Sequence, residues 1–400
     1  MGEVVGSVAV GAQQLLEYRY GPDLLPASEG MPSGPGMWRY RRLLPLAEGP
    51  IRYPLPVGGT PLLAKPRLRA ALGVAPSAEV WIKDETWGPS ASNKDRATAL
   101  VIESALRRGA GAVTTSSTGN AGVATAIGAA AAGLASVIFV AAGCDASKVE
   151  LMRAAGALVI RVEGGYAAAA ALSRAAAEAF GWEDRNTGVN PDTIEAKKTV
   201  AFEIWEQLRA VPDAVVVPVG DGPTLVGMAK GFEELRRCDA TDRVPAIIGV
   251  QADRCQPLVQ AWLGVEPGPE MLDPDGTSAE GIAVTSPSSG PAAIDAVEEC
   301  GGTFVAVTDA QIESAVAGLA AAGTLAEPAG AASVAGLAAA LDRGHLDEAT
   351  VIVALVTGRT LAVPSIGRSA AGDDEVVQDL DDIVRLAVAH GVPRSPRSTA

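Results

Sequence analysis

Trp81-Ile82-Lys83-Asp84-Glu85-Thr86-Trp87-Gly88-Pro89-Ser90-Ala91-Ser92-Asn93-Lys94-Asp95-Arg96-Ala97 runs from a short apolar strand, through a small polar loop broken by Gly and Pro, into a long Ala-rich helix. Lys94 stands where that helix begins. There the positive end of the helix dipole disfavours an ammonium, and a pocket that excludes water would disfavour it further, so both effects favour an amine nucleophile. Lysine is scarce: Lys65, Lys83, Lys94, Lys148, Lys197, Lys198 and Lys230 are the whole set. Taken alone, a lysine in the first turn of a helix reads as an ordinary solvated residue.

Outward from this stretch, β-branched runs alternate with helical patterns. Strands are expected at Glu79–Ile82, Ala112–Thr115, Ser136–Val140 and Ala157–Ile160, with helices at Lys94–Arg108, Ala121–Ala132, Ser147–Ala155 and Tyr166–Ala179. A second series gives helices at Thr193–Leu208 and Thr224–Arg236 and strands at Ala214–Val219, Ala246–Val250 and Val351–Val356. That alternation is the spacing of parallel crossover units, and the nearly continuous apolar character of the strands says that both faces of each sheet are covered. The fold class is therefore α/β, with two lobes. The first 36 residues read as an extension with one helix near Val8 to Tyr18; residues 264–290, rich in Pro, Gly and Ser, read as a long loop. Thr308-Asp309-Ala310-Gln311 has the form of a capping box, and the chain after about residue 370 reads as a peripheral tail.

Composition narrows the function. A net charge of −15 over 400 residues argues against a nucleic-acid partner, which requires a basic face. Cys144, Cys238, Cys255 and Cys300 form no Cys-x-x-Cys pair, so neither a zinc ribbon nor a disulfide framework is indicated, and reduced thiols in the cytoplasm are expected. The Ala/Gly-rich stretches are too interrupted for membrane spans, and the N-terminus lacks a basic region ahead of its apolar residues, so no membrane partner is expected. Only His345 and His390 are present, outside any motif, which disfavours a Ser-His-Asp triad or a histidine metal site; no metal is expected.

Two strand-to-helix turns have the chemistry of anion sites. Gly220-Asp221-Gly222-Pro223-Thr224-Leu225 offers successive backbone amides at a helix N-terminus, although a plain tight turn selects the same glycines. Asp221 brings a negative charge there and is expected to point away from the anion, and Pro223 removes one donor. In Ser116-Ser117-Thr118-Gly119-Asn120, hydroxyls, an amide and free helix-terminal amides converge, the alternative being simple capping.

Ser92-Asn93-Lys94-Asp95-Arg96-Ala97 resembles the Schiff-base lysine motif of the pyridoxal-phosphate enzymes related to threonine synthase. In the same order, the resemblance extends through Met37-Trp38-Arg39-Tyr40, Gly58-Gly59-Thr60-Pro61-Leu62, Ser116–Asn120, Glu195 with Lys198-Thr199, Gly220–Thr224, Glu327-Pro328-Ala329 and Thr357-Gly358. It implies the two-lobed fold-type II architecture, similar to the tryptophan synthase β chain. Residues 1–39 would form an extension, 40–94 with 190–368 the larger lobe, 95–189 the smaller, and 369–400 a tail. The cofactor implied is pyridoxal 5'-phosphate, lying between the lobes.

In that likeness Lys94 carries the cofactor and is the catalytic residue, Asn120 faces its phenolic oxygen, and Gly220, Asp221, Gly222, Pro223, Thr224 and Leu225 form its phosphate turn. Thr357 meets its ring nitrogen, where a neutral hydroxyl suits elimination and replacement better than transamination. Ser117, Thr118, Gly119, Thr193 and Lys198 would hold the substrate. The implied activity is a β- or γ-elimination or replacement on a small amino acid derived from serine, threonine or homoserine, by a homodimer. The alternatives are a genuine threonine synthase acting on O-phosphohomoserine and a catalytically silent cofactor-binding homologue. Against genuine threonine synthase stands Thr193, where threonine synthases usually carry an arginine that helps hold the substrate phosphate; Lys197 could compensate for it, which keeps that alternative open. Departing too are Gly88–Asn93, where the family typically has Asn-Pro-Thr-Gly-Ser-Phe, and Ser278–Val284, which is closer to serine/threonine dehydratases.

Overall fold

The computed structural model describes residues 3–10, 13–20, 34–143, 146–188, 190–346, 351–361, 376–377 and 379–393. In chain order the strands are β1 (Glu3–Val10), β2 (Gln13–Arg19), β3 (Leu62–Ala64), β4 (Glu79–Asp84), β5 (Ala112–Ser116), β6 (Ala135–Ala141), β7 (Leu158–Val162), β8 (Glu183–Asp184), β9 (Ala214–Pro218), β10 (Ala246–Ala252), β11 (Thr303–Val307), β12 (Val351–Val356) and β13 (Val376–Val377). The chain divides into two compact units. One comprises Met1–Pro45, Gly58–Asn93 and Ile194–Thr360; the other Leu46–Val57, Lys94–Thr193 and Leu361–Ala400.

The first unit holds a six-stranded sheet in the order β11-β10-β9-β12-β4-β3, parallel except for the β3–β4 pair. Its central strands β9 and β12 are apolar throughout because both faces are covered. The strand period of two splits them between two cores: Val216, Ile352, Ala354 and Val356 pack with Ala331, Val334 and Ala335 of the helix Pro328–Asp342. Val215, Val217, Val353 and Leu355 pack on the other face with Phe202, Leu225, Met228 and Phe232.

This unit also buries a polar knot. Lys83 Nζ donates to Thr60 O at 2.7 Å, Glu203 Oε2 at 2.7 Å and Gln207 Oε1 at 3.0 Å, while Gly59 N donates to Glu203 Oε1 at 2.7 Å. Gly58, at φ +76°, leaves no room for a side chain: a Cβ there would lie 2.5 Å from Met37 N and 2.7 Å from Glu203 Oε1. Arg39 Nη1 pairs with Glu206 at 3.0 Å, and Tyr40 donates to the same carboxylate. The Met37–Tyr40 and Gly58–Leu62 motifs are thereby joined through Glu203 and Glu206 of the helix Asp192–Leu208.

The second unit carries a five-stranded parallel sheet, β13-β7-β6-β5-β8. Val137 and Phe139 face one core, with Phe180 and Trp182; Ile138 and Val140 face the other, with Val149 and Met152. Residues 46–57 join this unit because Glu103 Oε2 accepts the amides of Arg52 and Tyr53, both at 2.8 Å, while Arg107 Nε lies 2.6 Å from Glu103 Oε1 and Arg107 Nη1 reaches Ala47 O.

Two expectations are corrected. In place of a helix near Val8 to Tyr18 stand β1 and β2, paired antiparallel; the valines of Glu3–Val10 are β-branched and suit a strand better than a helix. The C-terminal segment is not peripheral. β13 extends the sheet beside β7, Trp182 Nε1 donates to Pro393 O at 3.1 Å, and the helix Leu380–Ala389 buries Ile383, Leu386 and Ala387 in the core of Phe139 and Phe180. Within 264–290 three short 3-10 turns occur, Pro269–Met271, Pro274–Gly276 and Glu280–Ile282. The expected capping box at Thr308 is formed with Gln311.

Candidate active site

In the first unit, the C-terminal ends of three parallel strands, β4, β12 and β9, stand side by side, the place where ligands bind to open α/β sheets. β4 ends at Asp84, whose Oδ1 accepts from Thr86 N at 3.1 Å and Thr86 Oγ1 at 2.7 Å and so starts the turn Glu85–Trp87. The following residues lie along the exit of β12. Arg359 N donates to Ala91 O at 3.1 Å, Ser92 bridges Gly358, and Asn93 N donates to Thr357 O at 2.8 Å. Ala91 holds φ 58°, a conformation that costs a residue with a Cβ and is kept only where the surroundings fix it. Asn93 Nδ2 also donates to Thr224 Oγ1 at 3.3 Å. Three regions picked out in the sequence, the residues before Lys94, the turn at 220–225 and Thr357, therefore meet at Asn93.

β9 leads through Gly220 and Asp221 to Gly222, which caps the helix Pro223–Arg237 at φ +100° without a side-chain bond. Pro223 is no loss as a donor, since the N–H it lacks would have no partner inside the helix. The amides of Thr224 and Leu225 are in the same first turn. Asp221 spends both carboxylate oxygens on Ser288, Oδ1 accepting its N–H at 2.6 Å and Oδ2 its hydroxyl at 2.7 Å, while Asp221 O accepts Ser289 N at 3.1 Å. Thr357 is buried, with 8 % of its surface exposed, and the neighbouring Gly358 O accepts Glu327 N at 3.0 Å, which joins the Glu327–Ala329 and Thr357–Gly358 motifs.

In the second unit Lys94 is the first residue of the helix Lys94–Arg108 and is partly exposed. Ser117, Thr118, Gly119 and Asn120 follow β5 and are also partly exposed; Gly119 caps the helix Asn120–Ala132 without a side-chain bond, and Gly119 N donates to Ser117 Oγ at 3.2 Å.

Two proposed substrate residues are placed otherwise. Lys198 is fully buried, its ammonium 2.6 Å from Glu195 Oε2, 2.9 Å from Glu234 Oε1 and 3.8 Å above the Tyr20 ring. Its charge is committed to two carboxylates, so the substrate role expected for it is withdrawn. Thr193 is fully buried too, and its hydroxyl donates to Asn190 O at 2.8 Å and Thr187 O at 3.3 Å. Its hydroxyl is spent on carbonyls of the preceding loop, and its side chain is wholly buried. Asn93 and the Ser288–Ser289 pair, which hold these turns together, were not singled out in the sequence. The signal for the second was there: Ser289-Gly290-Pro291 has the form of a helix start, and the helix Gly290–Glu299 begins at that point.

The model of the family described as pyridoxal-phosphate dependent enzyme matches residues 53–358. The chain belongs to this family. It is 34% identical over 357 residues to the threonine synthase of Methanosarcina acetivorans, covering 88% of this chain and 87% of that one. With the threonine synthase of Mycobacterium leprae it shares 34% identity over 327 residues, 81% of this chain and 88% of the relative. Among solved structures, the processed form of threonine deaminase isoform 2 from Solanum lycopersicum superposes with a TM-score of 0.62 at 24% identity, over 76% of this chain and 80% of that one. Maize serine racemase gives 0.63 at 21%, over 77% and 91%. These two likenesses are of fold.

As a member of the pyridoxal-phosphate family the protein is an enzyme that uses pyridoxal 5'-phosphate, and its residues fit that cofactor. The chain offers an amine at Lys94, first-turn amides at Thr224 and Leu225 behind a glycine whose conformation brings the backbone close, and an acidic residue, Asp221, whose oxygens are engaged by Ser288. Of the other lysines near family motifs, Lys83, Lys197 and Lys198 are buried, and Lys83 and Lys198 are held by carboxylates. Among the described residues there is no cluster of metal-ligating side chains, and no helix is long and apolar enough to cross a membrane.

Proposed function

We propose that this pyridoxal-phosphate enzyme carries out a threonine synthase-like elimination or replacement on a small amino acid derived from serine, threonine or homoserine. The observation that carries the reading is the junction at Asn93. Its backbone and side chain bind Thr357 and Thr224 at once, immediately before Lys94 in the sequence, so that motifs far apart in the chain are tied to the residue preceding the amine. Bound pyridoxal phosphate supplies an electron sink for the carbanion formed when a substrate loses its α-proton. Lys94 would carry the cofactor, and its amine would hold and return the substrate's α-proton. The Gly220–Leu225 turn binds the phosphate through amides and the Thr224 hydroxyl; Asn120 bonds the phenolic oxygen; Ser117, Thr118 and Gly119 receive the substrate carboxylate. Thr357 offers a neutral hydroxyl to the ring nitrogen, which moderates the sink and favours loss or exchange of a substituent over transamination. The resemblance further supports a homodimer working in the cytoplasm.

A second reading, threonine formation from O-phosphohomoserine, gains from Thr193. Being buried and locally bonded, that residue carries no argument against recognition of a substrate phosphate; the relatives named threonine synthase favour it also. The test is a panel of L-serine, L-threonine and O-phosphohomoserine, with the visible spectrum and the products followed together. Either reading expects a spectral change and turnover with at least one member, and saturating threonine release from O-phosphohomoserine selects the second. A stable cofactor band that no substrate perturbs would leave only the silent homologue.

A further inference from the structure

We propose that the Ser289 hydroxyl is a further donor to the phosphate held at the 220–225 turn, and that Asp221 is the residue that positions it; the inference rests on the assignment of that turn to the cofactor's phosphate. Ser289 is buried, with 1 % of its surface exposed, and its Oγ has no hydrogen-bond partner. Its main chain is satisfied: the N–H donates to Asp221 O at 3.1 Å and the carbonyl accepts Ala293 N at 2.9 Å. It stands at the N-cap of the helix Gly290–Glu299, where a serine hydroxyl ordinarily accepts a backbone N–H, yet it makes no such bond. A buried hydroxyl without a partner is uncommon and destabilising, and a methyl group would serve the apoprotein better.

What lies beside it is the anion turn. A Cβ built on Gly222 would come within 3.0 Å of Ser289 O and 3.1 Å of Ser289 Cβ, so the two residues are in contact by virtue of the missing side chain. Directly after Gly222 the helix Pro223–Arg237 presents its first-turn amides. A phosphate oxygen received by those amides is the acceptor that the Ser289 O–H lacks. Asp221 acts through its neighbour: each carboxylate oxygen takes one Ser288 donor, at 2.6 and 2.7 Å, which fixes the Ser288-Ser289 segment against the turn. This accounts for an acidic residue beside an anion site.

The measurement is made on the cofactor-free full-length protein. Ser289→Ala is expected to leave its thermal midpoint unchanged or raised while weakening pyridoxal phosphate binding about ten-fold or more, the scale of a lost bond to a charged group. Inorganic phosphate should raise the midpoint of the parent more than that of the variant, and pyridoxal without its phosphate should bind both alike. Asp221→Asn, which keeps the shape but removes one acceptor, should also weaken the cofactor, and adding Ser288→Ala to it should change little more. The proposal is overturned if Ser289→Ala binds pyridoxal phosphate and inorganic phosphate as the parent does, or if its apoprotein is destabilised in step with the lost affinity, which marks a merely structural serine. Uptake of pyridoxal phosphate on Lys94 in the parent, with Ser289→Ala indifferent, removes only the serine assignment. A parent that neither takes up the cofactor nor responds to inorganic phosphate removes the phosphate turn with it.

Discussion

Glu195 and Glu234 share Lys198, but their carboxyls are shifted in opposite directions. Burial works to raise the Glu195 carboxyl, yet Lys198 and Lys230, each 2.6 Å away, prevail and hold it below its usual range; Tyr20 adds a hydrogen bond at 3.0 Å. Glu234 is raised, burial being the larger influence on it, and its Oε2 has no partner. Glu195→Gln should therefore cost about 3–5 kcal/mol, the scale of breaking a buried pair from one side, and Glu234→Gln much less. Denaturant unfolding at neutral pH checks the order, and equal losses would contradict it. The sign with pH follows: stability from the depressed Glu195 is present above its unfolded-state value and is lost as the pH falls through its folded one. Gly222→Val brings a β-branched side chain to φ +100° and against Ser289 O, so both thermal midpoint and cofactor retention should fall. A variant with the parent's midpoint and retention would mean that the turn is looser than described. At this scale scarcity and position single out Lys94, and Asp221, expected to point away from an anion at this turn, bonds Ser288. Lys198 was misjudged, because no local pattern shows that Glu234, distant in the chain, closes on it beside Glu195.

Elements were read more securely than the turns that join them. The helix Lys94–Arg108 and the strand Val351–Val356 have the ends expected from their apolar runs, while β8 and β13, of two residues each, carry too little pattern to be seen. The N-terminal hairpin was read as a helix since its short apolar run satisfies either period. Turn contacts depend on partners far along the chain, as with Asn93 and Thr224 or Asp221 and Ser288, and sequence spacing says nothing of them. Thr193 shows the consequence. At the start of the helix Asp192–Leu208 it is wholly buried, so Thr193→Arg, which the family comparison would suggest as a gain for a phosphorylated substrate, should instead destabilise the protein by about 1–3 kcal/mol through overpacking. Chemical denaturation and assay of O-phosphohomoserine decide it: a stable variant with several-fold higher activity on that substrate would restore the substrate role.

Over the whole molecule, two mainly parallel sheets with largely apolar strands and covering helices could be anticipated from the alternation of elements, because the burial of both faces writes itself into composition. Which segments complete each unit could not. Residues 46–57 join the second unit through Glu103 and Arg107, and the C-terminal helix joins it by burying three residues, contacts made by position in space. The family assignment makes pyridoxal phosphate the cofactor, and Lys94 is its proposed attachment point. The direct measurement is borohydride reduction of the cofactor-loaded protein followed by peptide mapping, in the parent and in Lys94→Ala. The expected result is one reduced adduct, on the peptide containing Lys94, and none in a folded Lys94→Ala protein; an adduct on Lys83, Lys197 or Lys198, or one that persists in the variant, would contradict it.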